Sequence, residues 1–204
     1  MFGSLGLDNA AATSEQSTCR RARVCAREAF FMTRKLEYPF LLIGLAAIAR
    51  IVPHAWNFTP VGAVGLFAGA YCKPKFAWQV PLLVLLLSDL VLGFYDPVLL
   101  VAVYAGFMFS PLIGRLLLAR RRSVLRVGGA VWASATVFFL VSNLGEWFAS
   151  YPLTLNGLIE CYVLALPFYG TALIGDAIYA SVLFGGYEVL MRLTHRNVKQ
   201  VSEA

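Results

Sequence analysis

Six apolar stretches separated by short polar breaks dominate the chain, at residues 36–51, 58–72, 76–95, 98–119, 124–148 and 157–190. A helix rises 1.5 Å per residue, so about 20 apolar residues cross a hydrocarbon core roughly 30 Å thick. The last stretch exceeds one crossing, and its far end is expected in water or along the interface. Charged residues make up 14% of the chain, hydrophobic residues 59%, and the mean hydropathy is +0.71. A soluble domain carries about 25% charge. A soluble globular enzyme, a disordered chain and a disulfide scaffold are thereby excluded. The expected fold is an all-α membrane protein with six transmembrane helices.

The cations orient it. With the N-terminus inside, the inner segments are 1–35, 73–75, 115–126 and 191–204, and they hold 16 of the 17 Lys and Arg residues. Only Arg50 falls outside. Lys and Arg near spans resist translocation, so both termini are expected in the cytoplasm. The net charge of +6 then acts as a retention signal, helped by anionic lipid, and not as a nucleic-acid surface. Residues 1–31 lack an apolar period and are read as a disordered extension or as sequence upstream of a later start at Met32. Residues 32–204 form the transmembrane domain.

The loop after the first span gathers donors and aromatics: Arg50, Pro53, His54, Trp56, Asn57, Phe58, Thr59 and Pro60. Prolines stiffen a short loop, which suits either an interfacial anchor or a cap over a ligand. Asn143, Glu146 and Trp147 sit at i, i+3 and i+4 on one face near the same outer side. Asp89 lies roughly 9 Å below the outer end of its helix, and Asp176 near the middle of the last span. Intramembrane acids are costly and face the bundle interior. Tyr162, Tyr169 and Asp176 recur every seven residues, within roughly 40° of one face. That stripe suits a cavity wall, with Asp176 as a structural hydrogen-bonding group or a relay. Gly65 and Gly69 lie four apart on the second span, the spacing that lets helices approach closely within the chain or against a partner. Neither the four cysteines nor the two histidines make a recognisable metal pattern. No serine-hydrolase elbow, zinc-protease pair or phosphate loop occurs. No cofactor, metal or catalysis is expected.

The motif Arg50-x-x-Pro53-His54-x-x-Asn57-Phe58-Thr59-Pro60, with Ala63-x-x-Leu66-Phe67-x-Gly69-Ala70, resembles an uncharacterised family of bacterial integral-membrane proteins. So do Pro81 with Ser88-Asp89-x-x-x-Gly93-Phe94, Phe138-Phe139-x-x-Ser142-Asn143-x-x-x-Trp147, and Tyr151-x-x-Thr154-x-x-Gly157-Leu158 with Cys161-Tyr162 and Pro167-Phe168. The resemblance covers residues 36–190. That family is in turn distantly similar to the substrate-binding S components of energy-coupling-factor transporters. The similarity implies an S-component-like bundle in the bacterial inner membrane that binds a vitamin-like small molecule near the outer face. A transmembrane coupling subunit and ATPases would power it. The Ala-x-x-x-Ala docking pattern of the first helix is not kept, since Arg50 stands four residues after Ala46.

Substrate-binding candidates are Arg50, His54, Trp56, Asn57, Thr59, Asp89, Asn143, Glu146, Trp147 and Tyr162. Gly65 and Gly69 are the candidate docking face. The rival readings are a non-transporting scaffold of the rod-shape or morphogenesis type and, third, an intramembrane enzyme.

Overall fold

Local sequence sets where each helix begins and ends. In the computed structural model, residues 41–52 and 57–203 are described, with side chains through Leu193. Among them the secondary structure is all helical: α1 (Leu41–Ile51), α2 (Val61–Tyr71), α3 (Pro74–Leu92), α4 (Pro97–Leu118), α5 (Val124–Ser150) and α6 (Leu155–Glu203). The reading of residues 1–31 lies outside the described residues. Pro74 and Pro97 open their helices, where a missing N–H costs nothing. The Asp96 carboxylate accepts from the Val98 and Leu99 N–H groups, Ser123 Oγ from Arg126 N–H, and Thr154 Oγ1 from Gly157 N–H. Each satisfies a donor that has no partner in the first turn. Gly93 ends α3 at φ +94°, a conformation that glycine adopts without a Cβ clash.

Four of these helices, α3 to α6, are long and apolar enough to cross a membrane. Their outward faces carry exposed Leu86, Leu87, Leu90, Val91, Trp132 and Leu140. Such a surface belongs in lipid. At 49 residues, α6 is about 74 Å long, more than twice the hydrocarbon thickness.

The second expected span is where the sequence reading needs correcting. Residues 57–60 are not helical, and Asn57 takes the left-handed conformation at φ 60°. Only the 11 residues of α2 are helical, about 16 Å or roughly half the hydrocarbon core. Ten of those residues are buried, and α2 touches α3, α4, α5 and α6. It is a half-length helix wrapped by long ones. Ile43 and Ala46 of α1 join Val61, Val64 and Ala68 in the core beside it.

Close approach comes from small residues on both partners. A Cβ on Gly69 would run into the Pro111 carbonyl, one on Gly65 into Ser110, and one on Gly114 into the Leu66 carbonyl. Gly65 and Gly69 are therefore spent on the α2–α4 contact and do not form a docking face for a partner. The matching surface is a run of small residues four apart on α4: Ala102, Gly106, Ser110 and Gly114. Its Ala102 fits over Gly145 of α5, Gly106 over Phe138, and the Ser110 hydroxyl meets that of Ser134 at 2.7 Å. At the far end of α2, Arg122 Nη2 donates to the Ala70 carbonyl while its Nε donates to Leu118. The guanidinium lies 4.2 Å from the centre of the Tyr71 ring.

Candidate functional site

The N-terminus of α2 has no side-chain cap of its own, because its N-cap is Pro60. The cap comes from α6: Asp176 Oδ1 accepts from Ala63 N–H at 2.9 Å. Gly62 is required beside it, since a Cβ there would occupy the space of the carboxylate. Phe58, from the non-helical stretch, packs over Gly175 and sets its ring 5.6 Å from that of Tyr179. Asp176 is 21 residues along α6 from Leu155, about 32 Å by rise. A non-helical segment and a helix end thus lie deep against the middle of a spanning helix. Non-helical backbone at such depth persists where protein buries it or where it lines a cavity.

A cavity of about 510 Å³ lies there, lined by Arg50, Asn57 and Thr59 with residues from three long helices. Those helices contribute stripes with a four-residue step: Leu99, Val103 and Phe107 on α4; Phe138, Ser142 and Glu146 on α5; Phe168, Ala172 and Asp176 on α6. Asn143 and Tyr95 complete the wall. Leu99, Glu146 and Phe168 stand nearest the 93–96 and 151–154 connections, while Phe107, Phe138 and Asp176 form the floor. Each stripe spans about two turns of its own helix, about 12 Å. Phe107 and Phe138 stack with their centroids 4.1 Å apart.

Arg50 lines the cavity but its charge is answered behind the wall. Its Nη1 donates to Asp89 Oδ1 at 2.6 Å and to Ser88 Oγ. Asp89 is 1% exposed, Arg50 13%. Tyr104 OH donates to the other carboxylate oxygen at 2.9 Å. Ser88 in turn donates to the Val84 and Leu85 carbonyls of its own helix. Burial, and next the Asp89 charge, raise the Tyr95 phenol above its ordinary value, opposed by the charge and hydrogen bond of Arg50. Arg50, Asp89, Tyr95 and Tyr104 form one charge-compensated cluster.

Of the residues expected at the site, Arg50, Asn57, Thr59, Asn143 and Glu146 line the cavity, and Asp176 joins them. Asp89 stands behind Arg50 and does not line the wall. Tyr162 OH donates to the Leu140 carbonyl, and Tyr169 OH pairs with Thr136 Oγ1. Two members of the seven-residue stripe therefore tie α6 to α5, and only Asp176 reaches the cavity. Trp147 Nε1 donates to the Pro152 carbonyl, fastening the α5–α6 connection, and Trp147 is not among the residues that line the cavity. His54 and Trp56 lie outside the described residues. Sequence reasoning missed Tyr95, Tyr104 and the aromatic floor. The four-residue step of 138, 142 and 146, and of 168, 172 and 176, was the available signal.

These features define an all-helical membrane protein with an aromatic and carboxylate-lined cavity against a half-length helix. The chain belongs to the family of unknown function DUF6580, whose model matches residues 32–200. No curated protein and no solved structure matches it.

Proposed function

We propose that the chain is a membrane solute-binding subunit, S-component-like, that takes up a small organic molecule with energy from partner subunits. The observation that carries this reading is the 510 Å³ cavity formed where non-helical residues 57–60 meet the N-terminus of α2. Broken helices with polar groups at mid-depth suit solute sites in transporters, and the volume falls within the roughly 300–1,000 Å³ of small-molecule pockets. α3 to α6 account for four crossings, and the sequence stretches that contain α1 and α2 would each supply one more, giving six. The cation distribution favours cytoplasmic termini in a bacterial inner membrane, and the cavity then opens outward. An impermeant thiol reagent that labels Lys199→Cys in intact cells would reverse that orientation.

The deciding experiment is native mass spectrometry of protein extracted in mild detergent, alongside Ala172→Trp. Ala172 is buried on the cavity wall, and an indole there fills the space. A retained small molecule on the wild type, absent from folded Ala172→Trp, is expected. Equal masses from both, with no adduct on either, would sink the solute-binding reading and advance the scaffold.

A further inference from the structure

Granted that the cavity holds a solute, we infer that the solute is a small organic cation, its protonated nitrogen received by Asp176 on the floor. The charge balance points there. One guanidinium, Arg50, and two carboxyl groups, Glu146 and Asp176, line the cavity among the described residues, beside the Tyr95 phenol. The positive one is already matched by Asp89. Neither Glu146 nor Asp176 has an ion-pair partner among the described residues. What remains facing the solute is carboxylate.

Asp176 is the better placed of the two. It is 5% exposed, and one oxygen is fixed by the Ala63 N–H. No buried side-chain oxygen among the described residues lacks a hydrogen bond, so its second oxygen is open to the cavity it lines. In surroundings this apolar, a carboxylate with one oxygen unoccupied calls for a cation that also donates a hydrogen bond. Phe107 and Phe138 line the same cavity, and aromatic faces attract cations as well. Glu146, on the α5 wall, adds a second carboxyl that draws a cation inward. Asp96 and Glu160 add negative charge to the same end of the bundle, where Arg50 is already paired. Clefts lined by one sign of charge raise the encounter rate with the opposite sign.

Three probes sharing one ring separate charge from shape: tryptamine as the cation, tryptophol as the neutral alcohol, and indole-3-acetate as the anion. Binding is followed by thermal shift and calorimetry on the full chain in detergent. Tryptamine should bind roughly tenfold or more tighter than tryptophol, and indole-3-acetate weakest, the ratio expected for a charge-assisted hydrogen bond. Asp176→Asn keeps an acceptor for Ala63 N–H and should remove most of the preference of tryptamine over tryptophol. Glu146→Gln, which touches no helix cap, should slow tryptamine association several-fold at low salt, and it tests the idea should Asp176→Asn fail to fold. Equal affinity for all three, or preference for the anion, overturns the cation assignment and leaves the solute site standing. Failure of every probe at millimolar concentration, with no molecule retained on extraction, overturns both.

Discussion

Arg50 and Asp89 provide the most direct test of how the wall of the cavity is held. Asp89 is almost wholly enclosed and accepts from both Arg50 and Tyr104. Asp89→Asn keeps the shape and an acceptor for Tyr104, yet removes the carboxylate charge that faces the Arg50 guanidinium at 2.6 Å in a low-dielectric site. Removing one partner of a buried pair costs about 3–5 kcal/mol. Arg50 retains 13% exposure, so the lower end, about 3 kcal/mol, is the expectation. Arg50→Met strands the carboxylate instead and should cost about as much. The double variant removes both charges and should lose far less than the two together, because neither ion is left without the other. A coupling of about 2–3 kcal/mol is therefore expected, well above the 0.3–0.5 kcal/mol scatter of independent sites. Equilibrium unfolding in mixed micelles with rising SDS fraction measures all four proteins. Additive losses within that scatter would show that the pair is not a unit, and the wall would need another explanation.

Gly69→Ala drives a methyl into the Pro111 carbonyl and should cost about 1–3 kcal/mol or abolish folding. Gly128→Ala, with open space around it, should be neutral or slightly stabilising; matching melting temperatures for the two would refute the α2–α4 packing. Trp147→Phe removes the bond to the Pro152 carbonyl and should cost about 1 kcal/mol. It should speed hydrogen exchange across 151–154 without changing solute affinity; an affinity loss would return Trp147 to the site. Tyr95 should ionise above the ordinary phenol value of 10.0, seen as the tyrosinate absorbance missing from Tyr95→Phe. A group whose folded value is raised loses its stabilising contribution as pH climbs past the unfolded value. Stability owed to Tyr95 is thus full below about pH 10 and declines above it, and Arg50→Met should push its ionisation still higher.

The helical architecture was legible because apolar length is a property of the sequence alone. α3, α4 and α5 fall within a few residues of the stretches read from hydropathy, as does the start of α6, which continues to Glu203, and Pro97 and Ser123 mark starts that local chemistry dictates. The half-length of α2 was harder to see. Its residues Val61 to Ala70 are as apolar as a spanning helix, and nothing local says that four other helices will enclose them. Asn57 and Pro60 hinted at non-helical backbone. The Arg50–Asp89 pair and the Ala63–Asp176 cap join residues 39 and 113 positions apart, and such partnerships are set by tertiary packing. Tyr162 and Trp147 were misread for the same reason. A polar tip on an aromatic ring serves equally for a ligand or for a neighbouring carbonyl, and here the carbonyls of Leu140 and Pro152 were nearer.

The enclosure of α2 also fixes an order of events during synthesis. α2 leaves the ribosome before any of α3, α4, α5 or α6, yet those helices bury it, and the carboxylate that closes its first turn is made more than a hundred residues later. Too short to span alone, it can pack on α3 and α4 as they emerge, but its enclosure is completed only when the last helix arrives. Chains halted before residue 176 should keep their 57–71 segment open to protease, and release of the completed α6 should protect that segment in a single step.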